Sequence, residues 1–360
     1  MNPVLVEVLR GGCVESAHAG AVAVLDADGA VLASLGDIAR PVFPRSAVKL
    51  LQALPLLESG AADRLGLGAE EMALACASHN GEAEHVHTAA GMLAKAGLDA
   101  AALECGTHWP YFEPAQRALA QRGERPGALH NNCSGKHAGF LCLACALAQG
   151  GDVRAFARGY VAPEHALMRE VTAALAETTG CDLARTPRGT DGCSIPTHAA
   201  PVVALARAYA KVATGLGVAP ERALAMRRLR DAVAAAPFMV GGTGRFDTRV
   251  MQRLGARACI KVGAEGVYCA ALPGQGLGVA IKIDDGNNAR AAEVVMAAVI
   301  EACVRLDDDE AAFMRGLSAP RLVNWNGIEV GALRPSEALR RALAPSLSLD
   351  HLATSTSRPI

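Results

Sequence analysis

The chain is organised around the stretch Pro44-Arg45-Ser46-Ala47-Val48-Lys49, which is followed by the helix formers Leu50-Leu51-Gln52-Ala53-Leu54. A helix that begins near Ser46 places its hydroxyl and the Lys49 amine on one face, one turn apart. A serine needs a base beside its hydroxyl before it attacks a carbonyl, and a neutral lysine amine is such a base. Lysine is neutral near pH 7 only when it is desolvated or crowded by another cation. The alternative is a serine that caps the helix and a lysine at the surface.

Strand patterns lie at the two ends of the chain, and helical patterns fill the middle. The strand-like runs are residues 4–9, 21–25, 30–33, 256–261, 266–272 and 276–283. We therefore predict an α/β (α+β) fold in a single domain over residues 1–360. Its antiparallel sheet should come from about residues 1–45 and 250–290, and its helical region from about residues 46–240.

The composition excludes several classes of function. The chain has 360 residues with 35 basic and 36 acidic side chains, for a formal net charge of -1. Nucleic-acid binding and docking to an anionic membrane both need a basic face, so neither partner is expected. No run reaches the ~18 apolar residues of a membrane span, and the N-terminus lacks a signal-peptide pattern. The 11 cysteines are scattered, several of them in apolar runs, which predicts reduced thiols and a cytoplasmic protein.

Three short motifs follow one another along the chain. They are Ser46-x-x-Lys49, Ser78-His79-Asn80 and Lys261-Val262-Gly263. Their order resembles the S-x-x-K, S-x-N and K-T-G set of the penicillin-recognising serine acyltransferases. His79 stands in place of the usual acid of the second motif, and Val262 in place of a hydroxyl residue in the third. These departures weaken the case for a β-lactam substrate.

A fourth motif has the composition of a metal site. Cys133-x-x-Lys136-His137 is separated in the chain from Asp191-Gly192-Cys193. Two thiolates and one nitrogen can hold zinc and leave one position open. On chemistry alone Cys133, His137 and Cys193 are the preferred ligands, because lysine must lose a proton to bind a metal. The alternative is two ordinary thiols and a histidine that packs locally.

Five blocks of sequence together resemble the thermolabile type II L-asparaginase family of rhizobial kind, over nearly the whole chain. The blocks are Pro44-Arg45-Ser46-Ala47-Val48-Lys49, Cys76-Ala77-Ser78-His79-Asn80-Gly81-Glu82, His130-Asn131-Asn132-Cys133-Ser134-Gly135-Lys136-His137, Gly189-Thr190-Asp191-Gly192-Cys193-Ser194-Ile195-Pro196 and Lys261-Val262-Gly263-Ala264-Glu265-Gly266. The resemblance implies a serine β-lactamase-like fold, a homodimer and zinc near the substrate. It also implies the catalytic pairs Ser46–Lys49 and Ser78–Lys261, and the zinc ligands Cys133, Lys136 and Cys193. Lys136 thus replaces His137 as the expected nitrogen ligand.

The expected reaction is hydrolysis of L-asparagine to L-aspartate and ammonia. Ser46, deprotonated by Lys49, is expected to attack the side-chain amide, and Ser78 with Lys261 to protonate the departing ammonia. The expected substrate-binding residues are Arg45, His79, Asn80, Glu82, His137 and Asp191. The nearest rival is a serine acyl hydrolase of the penicillin-recognising type. The rival of another class is a non-catalytic zinc-binding protein.

Overall fold

The computed structural model describes residues 1–344 as a mixture of strands and helices. The strands are β1 (Val4–Arg10), β2 (Cys13–Leu25), β3 (Val31–Leu35), β4 (Pro41–Val42), β5 (Arg188–Thr190), β6 (Pro196–His198), β7 (Ala200–Pro201), β8 (Cys259–Val262), β9 (Val267–Leu272), β10 (Leu277–Ile283), β11 (Arg321–Val323) and β12 (Glu329–Pro335). Eight of them form one sheet in the order β11-β12-β1-β2-β10-β9-β8, with β3 also paired to β2. The pairs β4–β7 and β5–β6 form two small antiparallel sheets.

Short and medium helices make up most of the remaining chain. They are α1 (Lys49–Gln52), α2 (Leu54–Glu58), α3 (Ala61–Arg64), α4 (Ala69–Ala75), α5 (Ala83–Lys95), α6 (Glu113–Gln121), α7 (Ser134–Leu147), α8 (Val153–Ala157), α9 (Ala166–Thr179), α10 (Val202–Thr214), α11 (Pro220–Ala235), α12 (Pro237–Val240), α13 (Phe246–Leu254), α14 (Glu293–Cys303), α15 (Asp308–Ser318) and α16 (Glu337–Leu343). Among residues 1–344, no helix is both long enough and apolar enough to cross a membrane.

The predicted fold class is confirmed, with an antiparallel sheet drawn from both ends of the chain and a largely helical middle. The sheet also includes β11 and β12, which the sequence analysis did not anticipate. Residues 189–196, predicted as a polar loop, lie in the hairpin formed by β5 and β6. The predicted helix at Ser46 is present as three consecutive short helices. A 3₁₀ helix, Arg45–Val48, is followed directly by α1, and Ala53 separates α1 from α2. The relation to the serine β-lactamase fold stays a prediction.

The described chain divides into two compact units by its internal contacts, and whether they act as one domain stays a prediction. The first unit consists of Met1–Ala47, Ala200–Gly217 and the chain from Val262. Its central strands β9 and β10 are apolar runs with nearly every residue buried, as expected for strands covered on both faces. Helix α10 lies directly against β10 at Gly278, where an added Cβ would stand 2.0 Å from the Ala206 carbonyl oxygen. Only glycine permits this approach.

The second unit consists of Val48–Ala199 and Val218–Lys261 and is mainly helical. Helix α7 is apolar around its whole circumference and is buried over most of its length, as expected for a central helix. It approaches α4 closely at two glycines one turn apart. A Cβ at Gly135 would lie 2.4 Å from Leu74 Cγ, and one at Gly139 would lie 2.9 Å from Ala75 Cβ. This packing brings the first turn of α7 beside the loop that follows α4.

Replacing Gly278 by alanine tests the close packing of α10 on β10. We expect Gly278→Ala to lower the free energy of unfolding by about 3 kcal/mol or more, because a backbone clash has no side-chain rotamer that relieves it. Urea unfolding measures the change. Gly274→Ala is the matched control, because no atom lies within 4 Å of a Cβ at that position. Equal stability of the two variants would contradict this account.

Candidate active site

The turn that carries Ser46 is held within the first unit by three contacts. The Ala47 N–H donates to the Pro44 carbonyl at 3.0 Å, and the Tyr209 hydroxyl donates to the Ala47 carbonyl at 2.5 Å. Gly263 packs against the same turn, since a Cβ there would meet the Pro44 carbonyl oxygen at 2.7 Å. The glycine of the Lys261-Val262-Gly263 motif is therefore required by packing.

Arg45 begins this turn with a backbone φ of 52°, in the left-handed region that non-glycine residues seldom adopt. Such a conformation costs of order 1–3 kcal/mol and is found most often at functional sites. Ser46 follows, half-buried, in the 3₁₀ helix. Lys49 lies just beyond this 3₁₀ helix, at the start of α1, and its pairing with Ser46 stays a prediction.

Ser78 lies in the second unit, in a buried loop between α4 and α5. The backbone N–H groups of this loop are all used for holding it in place. The N–H of Ser78 donates to the Val240 carbonyl at 3.0 Å, and that of Asn80 to the Gly241 carbonyl at 2.9 Å. The N–H of His79 donates to the Asn132 carbonyl at 3.1 Å. The loop is thus hydrogen-bonded to Val240 and Gly241 on one side and to Asn132 on the other. These three amides are therefore not free to bind a substrate oxygen.

Lys261 contacts one of the two serines that the sequence predicts to be catalytic. Its Nζ lies 3.0 Å from Ser78 Oγ, and both side chains are buried. Burial lowers the pKa of Lys261 to about 7, and the Lys49 and Arg245 cations act in the same direction. The Asp247 carboxylate opposes this shift. A lysine that is partly neutral near pH 7 and hydrogen-bonded to a serine hydroxyl has the properties of a general base.

Two further buried lysines contact the thiols predicted as metal ligands. Lys49 Nζ donates to the Ala77 carbonyl and lies 3.1 Å from Cys133 Sγ. Lys136 Nζ lies 3.0 Å from Cys193 Sγ. Cys133 and Cys193 also hydrogen-bond to each other. All three predicted zinc ligands therefore lie close together. Cys133 immediately precedes α7, Lys136 lies in the first turn of α7, and Cys193 lies in the β5–β6 turn.

The charges in this cluster depend on one another. The hydrogen bond with Cys193 holds the pKa of Cys133 well below its usual value, and Lys49 and Lys136 add to the effect. The same hydrogen bond, together with burial, raises the pKa of Cys193. Burial alone would lower the pKa of Lys136, but the neighbouring Cys193 and Cys133 raise it on balance. These shifts favour the thiolate form at Cys133, the thiol form at Cys193 and the ammonium form at Lys136.

His79, Asn80 and Glu82 lie together in or next to the Ser78 loop. Their polar atoms mainly form hydrogen bonds with other groups of the protein. His79 Nε2 lies 2.9 Å from Ser134 Oγ, and its Nδ1 accepts from the Gly81 N–H at 3.1 Å. Glu82 accepts from the backbone N–H and the hydroxyl of Thr243 at 2.7 and 2.6 Å. The Asn80 amide donates to the Thr243 carbonyl at 3.0 Å. These contacts favour a role in fixing the loop, and substrate binding by the three residues stays a prediction.

His137 has one free nitrogen. Its Nδ1 lies 2.6 Å from the Tyr160 hydroxyl, which accepts from the Glu104 N–H at 3.0 Å. Nε2 of this fully buried ring has no hydrogen-bond partner among the described residues. Burial, followed by the Lys136 and Lys49 charges, keeps the pKa of His137 well below its usual value. A neutral ring held by Tyr160 leaves Nε2 available to a bound molecule.

Asp191 lies in the β5–β6 turn, next but one to Cys193. Its own N–H donates to the Ile195 carbonyl at 2.8 Å, and its Oδ1 accepts from the Gly192 N–H at 2.7 Å. Asp191 also contributes to raising the pKa of Lys136, so the two side chains interact. The carboxylate therefore belongs to the thiol–lysine cluster.

Three residues of the site were missed by the sequence analysis, namely Tyr160, Thr243 and Asp247. Asp247 had a usable signal, because it shares a helical face with Val250, Met251 and Leu254 at spacings of three, four and seven residues. A carboxylate on such an apolar face needs a polar partner. Thr243 and Tyr160 follow no pattern that singles them out.

The predicted ligand set has to include a lysine if it is to hold a metal. Among the described residues, no three His, Cys, Asp or Glu side chains are grouped so that they could hold a metal ion. Cys133, Lys136 and Cys193 supply two sulfurs and one nitrogen, and Cys193 contacts both of the others, which is donor chemistry that suits zinc.

A serine hydroxyl with a buried lysine base is the arrangement of one class of serine-dependent hydrolases. The chain belongs to the L-asparaginase II family, whose model matches residues 6–335. The family predicted from the sequence is confirmed. The rhizobial, thermolabile kind stays a prediction.

Comparison with solved structures gives only remote similarity. A structure of Mglu is 15% identical with a TM-score of 0.33, covering 76% of this chain and 64% of that chain. A structure of Mglu in its glutamate form is 17% identical with a TM-score of 0.33, covering 81% of this chain and 63% of that one. The chain thus spans less than two thirds of the length of these structures. Comparison with curated proteins finds no match.

The difference between the pKa values of Lys261 and Lys136 can be measured directly. We expect NMR of the lysine side chains to give a pKa of about 7 for Lys261, and one above the ordinary value for Lys136. Asp247→Asn should lower the pKa of Lys261 further, because the carboxylate that stabilises its ammonium form is removed. Lys261→Arg assigns the signal. A Lys261 pKa near the ordinary ~10.4 would contradict the proposed burial effect.

Proposed function

We propose that the chain hydrolyses the side-chain amide of L-asparagine through a serine ester, with Lys261 as the general base and Ser78 as the serine that it activates. Membership of the L-asparaginase II family supports the reaction. The observation that carries the mechanism is the buried 3.0 Å contact between Lys261 Nζ and Ser78 Oγ. The sequence analysis assigned the attack to Ser46 with Lys49 as base. That assignment stays a prediction, and the experiment below separates the two.

In the first half of the reaction, neutral Lys261 takes the proton of Ser78. Ser78 Oγ then bonds to the carbonyl carbon of the asparagine side chain, and a tetrahedral oxyanion forms. The carbon–nitrogen bond breaks, and Lys261 returns its proton to the departing nitrogen, which leaves as ammonia. The positive charge of Lys49, hydrogen-bonded to the Ala77 carbonyl, stabilises the anion.

In the second half, water hydrolyses the aspartyl ester. Lys261 takes a proton from water, and the hydroxide adds to the ester carbonyl. The ester bond breaks, and the Ser78 oxygen recovers its proton from Lys261. The same group therefore acts as base and then as acid in both halves, a role that suits a pKa near the working pH.

Substrate recognition is assigned first to His137 and Asp191. His137 offers a buried nitrogen without a protein partner, and Asp191 offers a carboxylate for the α-ammonium group. Arg45 remains the predicted partner of the substrate carboxylate. Asn80, His79 and Glu82 act mainly by fixing the loop of Ser78. A homodimer and a cytoplasmic location also stay predictions.

Zinc is proposed as the metal held by Cys133, Lys136 and Cys193. When bound there, zinc would supply a positive centre that orients the substrate. The residues of the cluster must adjust for this, because Cys193 and Lys136 each hold a proton that a metal ligand has to lose. His137 follows Lys136 in α7, so its ring, anchored by Tyr160, can orient the ligands.

Serine variants separate the two candidate nucleophiles. We expect Ser78→Ala to reduce ammonia release from L-asparagine on the order of 10³-fold or more, because the hydroxyl beside the base is lost. Acid quenching during turnover, followed by peptide mass spectrometry, should find the aspartyl ester on Ser78. Ser59→Ala, at a half-buried helix end, is the control and should keep full activity.

Two outcomes count against this mechanism. An ester on the peptide that contains Ser46 would return the attack to Ser46, as the sequence analysis predicted. The absence of ammonia release from the folded wild-type protein, with zinc supplied, would remove the asparaginase proposal altogether.

Cysteine variants test the metal proposal. Cys133→Ser with Cys193→Ser should remove zinc from the purified protein, as measured by atomic emission, because two of three ligands lose their thiolates. Cys181→Ser is the control, since this half-buried thiol lies outside the cluster. Zinc retained in the double variant at the wild-type ratio would exclude this ligand set. Binding of L-asparagine that is unchanged without zinc would exclude the orienting role.

A further inference from the structure

The second unit contains a cavity of about 740 Å³ that none of the proposed catalytic residues lines. Its walls are α9, the segment from Cys181 to Arg188 and His198 of β6. Its volume falls within the range of ~300–1,000 Å³ that is usual for small-molecule sites. The cavity is therefore large enough for a metabolite, and its lining has to indicate which kind.

The lining carries an excess of positive charge. Arg169 and Arg188 both line the cavity, and neither forms an ion pair with a carboxylate within residues 1–344. Arg169 donates to the Glu164 carbonyl at 2.7 Å through Nη1. The one carboxylate of the lining, Asp182, accepts from the Ala184 N–H at 3.2 Å. Two arginines and one aspartate in the same lining favour an anionic ligand.

The wall segment from Cys181 to Arg188 is held against the β5–β6 hairpin. Arg188 stands directly opposite His198 in the hairpin ladder. His198 Nδ1 donates to the Leu183 carbonyl at 3.1 Å, and the Thr186 hydroxyl donates to the same carbonyl at 3.3 Å. The backbone from which Arg188 projects is therefore held in place by the hairpin and by these two hydrogen bonds.

We propose that this cavity is a second small-molecule site, which binds the oxyanion of a small carboxylate or phosphate between Arg169 and Arg188. The planar guanidinium group of arginine matches both oxyanions with two parallel hydrogen bonds. The hydroxyl of Thr172, a further lining residue, adds a neutral donor. The site lies at the open end of the hairpin whose turn carries Asp191 and Cys193.

Calorimetry with succinate and, separately, with inorganic phosphate tests the proposal on the full-length protein. We expect one of the two anions to bind the wild type, and the double variant Arg169→Gln/Arg188→Gln to raise its Kd at least tenfold. Arg185→Gln is the matched control, because Arg185 is an exposed arginine of the same segment that does not line the cavity. It should change Kd less than twofold.

Hydrogen–deuterium exchange locates the bound anion without any need for turnover, so the result does not depend on the asparaginase proposal. We expect protection of residues 181–198. The absence of binding by both anions, an equal loss in the Arg185→Gln control, or protection confined to residues 76–82 would each overturn the proposal. The last result would place the anion beside Ser78.

Discussion

The burial of the Lys261 amine is the constraint on which the rest of the site depends. An ammonium group taken out of water loses its proton near pH 7 here, and the Asp247 carboxylate only partly offsets the loss. The amine of Lys261 lies 3.0 Å from the hydroxyl of Ser78. The hydrogen bonds from the Ser78 loop to Val240, Gly241 and Asn132 keep that hydroxyl in place. The local structure thus holds the proposed base beside the proposed nucleophile.

Burial lowers the pKa of both buried lysines, but their neighbours differ. At Lys261 burial prevails and lowers the pKa to about 7, whereas at Lys136 the neighbouring Cys193 and Cys133 outweigh burial and raise the pKa. Helix α7 buries Lys136 in its first turn. Gly135 allows that turn to approach α4. Because Lys136 and Lys261 are both buried, the ionisable groups around each lysine decide the direction of its pKa shift.

The sequence predicted the parts of this structure that depend on local pattern. The sheet strands at both ends and the helical middle are present. The grouping of Cys133, Lys136 and Cys193 is what the family resemblance implied, whereas the residues alone favoured His137. The strands β11 and β12 escaped prediction because most of their residues are only partly buried or exposed and lack a clear alternation. The sequence also did not predict the hydrogen bonds of His79 with Ser134 and of Glu82 with Thr243. Such contacts depend on which distant segments meet, and no spacing within one segment reveals them.

The pH dependence of ammonia release from L-asparagine tests the central claim most directly. Lys261 must be neutral to take the proton of Ser78, and its pKa is lowered to about 7. We therefore predict that kcat/KM is small when Lys261 is protonated, rises as the pH passes through about 7, and then levels off. Replacing Lys261 by methionine should abolish this activity. A kcat/KM that stays constant across the neutral range, or that falls as the pH rises through it, would contradict the account.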